Sequence, residues 1–133
     1  MELVAGQRRS LTSDAMVVLL VEDEPLVRMF AVDVLEDEGF TVIEAKNTDE
    51  ALKQLREHTD VQVMVTDVHM PGSLDGLALA REAATIYPLL AVLSVSGKGA
   101  PSAEDMPVRA HFLPKPYFGR TVIEHIRAAV NAA

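Results

Sequence analysis

The chain has 133 residues, of which 49% are hydrophobic, a size and composition typical of one globular domain whose core needs no disulfide bonds. It contains no cysteine, which excludes disulfides, thiolate metal sites and thiol nucleophiles. The formal net charge is -8 and the 12 Lys and Arg residues are scattered, so binding to nucleic acid or to an anionic membrane surface is not expected.

The first residues of the chain differ in character from the rest. Residues 1–15 are polar and aperiodic, whereas a strongly apolar run begins at Met16. We therefore expect a tail or arm at 1–15 and a single domain at 16–133. No apolar stretch reaches the roughly 18 residues of a spanning helix, and the N-terminus has no signal-peptide core. A cytoplasmic location is the expectation that follows.

Strand and helix patterns alternate from Met16 onward. Met16 to Val21 is a continuous β-rich run bounded by acids, which predicts a buried strand. Pro25 suits the first turn of a helix and Gly39 suits its C-terminal stop. Six apolar residues recur at helical spacing and predict this first helix: Leu26, Val27, Phe30, Ala31, Val34 and Leu35.

The middle of the chain repeats this alternation. Thr41 to Glu44 predicts a second strand and Val61 to Thr66 predicts a third. Between them Asn47, with Glu50 three residues later, is typical of a helix N-cap. The stretch 75–88 predicts a third helix, which opens at Asp-Gly and ends at a proline.

The last third of the chain is interrupted by turn-forming residues. Leu89 to Val95 predicts a fourth strand and Ala110 to Leu113 a fifth. The stretch 97–109 contains glycines and prolines, so a short irregular connection with at most one or two helical turns is expected there. A final amphipathic helix is predicted by Phe118, Val122, Ile123, Ile126 and Val130. The whole pattern indicates an α/β fold with a parallel sheet covered by helices on both faces.

Four of the predicted strands end in residues that could act together. Glu22 and Asp23 follow the first strand, Asp67 the third, Ser96 the fourth and Lys115 the fifth. Each alone is commonly a cap, a turn or a solvated residue, but a parallel sheet brings its carboxyl ends to one edge. Three close carboxylates call for a cation and suit Mg²⁺, and an ammonium and a hydroxyl opposite them suit a phosphoryl group. Asp67 is then the candidate nucleophile.

Four motifs resemble one protein family in their order and spacing. The segments VLLVEDEP, VMVTDVHMPG, VLSVSG and FLPKPY are similar to the receiver domain of two-component response regulators, and the resemblance covers residues 16–129. It implies a flavodoxin-like (βα)5 fold with a doubly wound, five-stranded parallel sheet. The connection between Ser96 and Lys115 is shorter than in that family, which implies a shortened or irregular fourth helix.

The resemblance also implies a role for each residue at the carboxyl edge. Asp67 matches the phosphoacceptor, and Ser96 and Lys115 match the hydroxyl and the ammonium that contact the phosphoryl group. Ser96 and Phe112 match the residues that switch position on phosphorylation. The implied Mg²⁺ ligands are Glu22, Asp23, Asp67 and the backbone carbonyl of His69.

Two further residues lie beside these positions. His69 comes two residues after Asp67 and Lys98 two residues after Ser96, where side chains of the family tune the lifetime of the aspartyl phosphate. A solvated loop residue is an equally good interpretation of each. We hypothesise that Lys98 changes the lifetime by placing a cation beside the site.

The resemblance predicts a single-domain response regulator, because the chain ends soon after the last helix. It would accept a phosphoryl group from a histidine kinase or a histidine phosphotransferase and act through an unknown partner protein, with no external substrate to turn over. A phosphorylation-independent interaction module that keeps the acidic site is the alternative.

A hydrolase with an aspartyl-phosphate intermediate is disfavoured by the lack of a general acid motif just after Asp67. A flavodoxin-like cofactor binder is disfavoured by the lack of a glycine-rich loop after the first strand.

Overall fold

A computed structural model of the chain describes residues 16–67, 76–96, 110–114 and 119–131. Within these ranges strands and helices alternate, and the strand bounds differ from the predicted ones by only one or two residues. In chain order the elements are β1 (Val17–Val21), α1 (Pro25–Asp37), β2 (Thr41–Ala45), α2 (Thr48–Glu57), β3 (Val63–Asp67), α3 (Gly76–Ile86), β4 (Ala91–Ser96), β5 (Ala110–Pro114) and α4 (Gly119–Asn131).

The strands form a single five-stranded sheet in the order β2-β1-β3-β4-β5. Every adjacent pair is parallel. The chain runs from β1 outward to β2 and then crosses back to β3 on the other side of β1, so the strand order reverses between β1 and β3. Sheets of this kind bind ligands beside such a reversal, at the carboxyl ends of the strands. The predicted doubly wound, flavodoxin-like fold is confirmed.

Helices cover both faces of the sheet. Val18 and Leu20 of β1 pack in a cluster with residues of α1 and α4, whereas Leu19 and Val21 pack with residues of α2 and α3. This division follows from the alternation of side chains along a strand. All residues of β3 are buried, which explains why its sequence is a continuous apolar run rather than an alternating one.

Two predicted helix ends are confirmed by their hydrogen bonds. Gly39 follows α1 with φ of +94°, a conformation that favours glycine, and its N–H donates to the Glu36 carbonyl at 3.0 Å. Asn47 caps α2, since its side-chain oxygen accepts from the Glu50 N–H at 2.8 Å. The Glu50 carboxylate accepts in turn from the Lys46 N–H at 2.9 Å, a variant of the capping box.

We expect Asn47→Ala to lower the free energy of unfolding by about 1 kcal/mol, because the Glu50 N–H loses its acceptor. Urea denaturation followed by circular dichroism measures the change. Asn47→Asp restores an acceptor at the same position and should recover most of the loss. Equal urea midpoints for Asn47→Ala and the unmodified chain would show that the cap adds nothing to stability.

The start of β4 corrects a sequence prediction. Leu89, predicted in the strand, lies in the turn after α3 with its side chain 85% exposed. The Leu90 N–H donates to the Tyr87 carbonyl at 3.0 Å, and pairing with the sheet begins at Ala91, whose N–H donates to the Gln62 carbonyl at 3.1 Å. The prediction was wrong because an apolar run does not mark where a turn ends and a strand begins.

The predicted first helix is confirmed, but only some of its apolar residues are buried. Ala31 and Leu35 are buried, but Leu26 is 79% exposed and Phe30 is 47% exposed. Each residue of a helix is rotated by about 100° from the one before it, so Leu26 lies well outside the stripe that Ala31 and Leu35 form. Leu26 and Phe30 therefore lie in the predicted helix but outside its buried stripe.

Other predictions fall on residues outside the described ranges. These are the tail or arm at 1–15, the shortened fourth helix at 97–109, the helix opening at Asp75 and the place of Phe118 in the final helix. Among the helices that the structure does describe, none combines the length and apolar character needed to span a bilayer.

Candidate functional site

The carboxyl ends of β1 and β3 lie side by side and each carries an acid. Val21 of β1 is in register with Thr66 of β3, so Glu22 and Asp67 occupy the next position on neighbouring strands. Asp67 is the last residue of β3. Both acids are buried, with Glu22 1% exposed and Asp67 7% exposed. Two buried carboxylates on adjacent strands are uncommon in a structural core, which points to a functional site.

Asp23 completes a cluster of three carboxylates. Glu22, Asp23 and Asp67 each offer an oxygen, and these atoms lie within 4.8 Å of one another. Asp23 is half-buried, so the cluster opens to solvent on its side. Like charges this close repel one another unless a cation or a proton neutralises them. Hard carboxylate oxygens in this number fit Mg²⁺, which binds through one or two carboxylates and retains several waters.

The backbone around Glu22 is held by several hydrogen bonds. Its N–H donates to the Ala45 carbonyl of β2 at 3.0 Å, which extends strand pairing by one residue. Its carboxylate accepts from the Glu24 N–H at 3.2 Å, just before α1 begins. The bond from the Glu24 N–H compensates in part for burial of the charged group and helps to fix the direction in which the carboxylate points.

Arg28 supports the same segment and is a residue that sequence reasoning missed. Its Nη1 donates to the Glu22 carbonyl at 2.7 Å, and its Nε forms an ion pair with Glu44 at 3.2 Å. Arg28 therefore ties the end of β1 to β2 from the first turn of α1. An arginine on a helix is usually a solvated residue, so the sequence contains no signal that distinguishes this one.

The backbone of β4 places Ser96 at the same edge of the sheet. Asp67 is in register with Val95, and Ser96 is the next and last residue of β4. Ser96 is itself in register with Pro114, the last residue of β5. Lys115 comes directly after Pro114 in the chain, and its predicted place at this edge stays a prediction.

The structure thus brings together Glu22, Asp23 and Asp67 as the sequence predicts, and it adds the backbone of Ser96. The other predicted positions are not described: His69, Lys98 and Lys115 lie outside the described ranges. Phe112 lies in β5, in register with Ser94. The structure does not describe the side chains of Phe112 and Ser96.

The comparison with protein families decides the family of the chain. The model of the response regulator receiver domain matches residues 18–127, which is most of the chain and includes the acidic cluster. The chain belongs to the response regulator receiver domain family. The resemblance inferred from the four motifs is confirmed.

Individual relatives agree with this assignment. The receiver domain is 34% identical over 119 residues to the response regulator receiver protein CpdR of Brucella abortus (strain 2308), covering 87% of this chain and 98% of that one. It is 41% identical over 109 residues to the sensor kinase CckA of the same organism, covering 79% of this chain. The match spans only 11% of the sensor kinase, so the likeness is to a receiver-sized part of it.

Solved structures show the same fold. The crystal structure of a response regulator receiver protein from Sinorhizobium medicae WSM419 superposes with a TM-score of 0.82 at 26% identity. The superposition covers 90% of this receiver domain and 98% of that chain. Over that coverage the two chains share one fold.

Proposed function

We propose that this receiver domain accepts a phosphoryl group on Asp67, in a reaction that requires Mg²⁺, and passes the signal to a partner protein. The donor is a phosphohistidine of a histidine kinase or a histidine phosphotransferase. The observation that carries the proposal is the cluster of three carboxylates within 4.8 Å, with Asp67 at the end of the central strand β3. No external substrate is turned over, so the protein is not an enzyme in the usual sense.

The position of Asp67 favours it over its two neighbours as the nucleophile. β3 lies between β1, which carries Glu22 and Asp23, and β4, which ends in Ser96. Asp67 therefore has the acids on one side and the backbone of Ser96 on the other. Glu22 is nearly fully buried and accepts a hydrogen bond from the Glu24 N–H, an arrangement suited to holding a cation rather than to attacking a donor.

Each remaining group has a role in the proposed transfer. An Asp67 oxygen forms a bond to phosphorus as the bond between phosphorus and the donor imidazole nitrogen breaks, and that nitrogen takes up a proton. Glu22, Asp23 and the carbonyl of His69 would hold Mg²⁺, which when bound neutralises charge on the phosphoryl oxygens. By family resemblance, the Ser96 hydroxyl and the Lys115 ammonium contact the same oxygens from the side of β4 and β5.

Phosphorylation would act by changing charge at this edge of the sheet. A phosphoryl group on Asp67 adds negative charge and acceptor oxygens where Ser96 can donate. Movement of Ser96 at the end of β4 would be passed to Phe112 of β5, and the partner would bind the conformation that these contacts favour. Ser96 and Phe112 are therefore the proposed switch residues, and His69 and Lys98 the residues that tune phosphoryl lifetime.

The test is incubation of the purified chain with acetyl phosphate, with and without Mg²⁺, followed by intact mass spectrometry. We expect the mass of one phosphoryl group to be added with Mg²⁺ and not in excess EDTA, and hydroxylamine to remove it, as for an acyl phosphate. No modification with saturating donor and Mg²⁺ would contradict the proposal. It would favour the alternative, an interaction module that binds its partner without phosphorylation.

A further inference from the structure

A groove lies at the edge of the sheet opposite the acidic cluster. It has a volume of about 610 Å³ and lies between the connection from α2 to β3 and the connection from α3 to β4. We call it the basal groove. Its apolar lining includes Leu55, Val61, Ile86, Tyr87, Leu89 and Leu90.

The rim of the basal groove exposes large apolar side chains to solvent. Leu89 is 85% exposed and Ile86 is 53% exposed, and they are close in sequence on the same side of the groove. A single exposed leucine is ordinary on a protein surface. Two large apolar side chains beside a groove with an apolar lining indicate a surface that another segment covers.

The N-terminal end of the described chain lies next to this groove. The Val17 N–H donates to the Gln62 side-chain oxygen at 3.1 Å, and the Gln62 N–H donates to the Val17 carbonyl at 2.9 Å. Gln62 is one of the residues that line the groove. The chain that precedes Met16 therefore enters the sheet at the amino end of β1, one side chain away from the groove.

The sequence that precedes Met16 has the chemistry to fill the groove. Residues 1–15 contain apolar side chains, among them Leu3, Val4 and Leu11, together with the adjacent cations Arg8 and Arg9. The lining includes the carboxylate of Asp60, and none of the described lining residues is Lys or Arg, so Arg8 or Arg9 would meet an opposite charge there. At about 3.3 Å per extended residue, this segment is long enough to cross the groove.

We propose that residues 1–15 bind in the basal groove of the same molecule, with leucine and valine side chains covering Leu89 and Ile86 and an arginine near Asp60. The proposal does not depend on phosphorylation, because the groove and Asp67 are at opposite ends of β3. It assigns to residues 1–15 the role of an arm that packs on the domain.

The test uses paramagnetic relaxation in solution. Because the chain has no cysteine, Ser10→Cys creates a single attachment point for a nitroxide spin label in the full chain. We expect the label to broaden the amide signals of residues 58–62 and 86–91 selectively, and reduction with ascorbate to restore them. Uniform broadening, or broadening confined to residues near the label in sequence, would overturn the proposal.

Two control variants show whether the broadening depends on the basal groove. Leu89→Asp should remove the selective broadening, whereas Leu26→Asp, at a comparably exposed leucine near the opposite edge, should leave it unchanged. Neither change touches a buried side chain, so both proteins should fold. In a mixture of spin-labelled unenriched protein and unlabelled ¹⁵N protein, broadening at the groove would show that a second copy supplies the segment, which would also overturn the proposal.

Discussion

Asp67→Asn is expected to abolish phosphorylation by acetyl phosphate in the presence of Mg²⁺. An amide oxygen is a poor nucleophile, and the amide cannot form the acyl phosphate that a carboxylate forms. The change is nearly isosteric, and it relieves repulsion in the acidic cluster, so the fold should be retained. Intact mass spectrometry after incubation with the donor measures the loss directly, and circular dichroism checks the fold.

Asp33→Asn is the matched control for this prediction. Asp33 is exposed on α1, and the change removes the same charge from a different part of the surface. This protein should take up the phosphoryl group like the unmodified chain. If Asp67→Asn were still modified at the same rate, the phosphoacceptor would be another residue, and the proposed role of Asp67 would be wrong.

The sequence was sufficient to predict the layout of the fold because its strand pattern and its helix pattern of apolar residues are both clear. Runs such as that of β3 are short and β-branched, and they are separated by helices with identifiable caps, of which Asn47 is the best example. The error at Leu89 and the exposure of Leu26 have a different origin. Exposure of a residue depends on where the chain turns and on how a helix is rotated against the sheet, and neither can be read from apolar spacing alone.

The acidic cluster could be predicted because a parallel sheet brings the ends of neighbouring strands together, whatever the details of side-chain packing. Once β1 and β3 are neighbours with the same direction, residues that follow them meet at one edge, so Glu22, Asp23 and Asp67 must approach one another. Arg28 could not be predicted in this way. Its contact with the Glu22 carbonyl depends on the angle between the first turn of α1 and β1, which is a tertiary property.

The acidic cluster has a consequence for stability that can be measured without any donor. The three carboxylates lie within 4.8 Å of one another, so we expect Mg²⁺ bound by them in the folded chain to stabilise the fold by mass action. At a Mg²⁺ concentration a hundredfold above the dissociation constant, the gain in unfolding free energy is about 2.7 kcal/mol. Thermal or urea denaturation with and without Mg²⁺ tests this.

Asp23→Asn should be more stable than the unmodified chain without Mg²⁺ and less stable than it with Mg²⁺. In EDTA the variant is expected to be more stable than the unmodified chain, by up to about 1 kcal/mol, because one repelling charge is gone and half-buried Asp23 is partly screened by solvent. In saturating Mg²⁺ it should be the less stable protein, because it has lost a ligand. Asp23 is the informative position, since the change leaves Asp67 in place.

Asp33→Asn again supplies the comparison, because it removes one charge without touching the cluster. Its response to Mg²⁺ should equal that of the unmodified chain. If Asp23→Asn kept the full Mg²⁺ response, the cation would not be held by Asp23. If Mg²⁺ stabilised neither protein, the cluster would not be a cation site at all. If Asp23→Asn is instead the more stable protein in EDTA and the less stable one in Mg²⁺, the carboxylates must repel one another and must also bind one cation together.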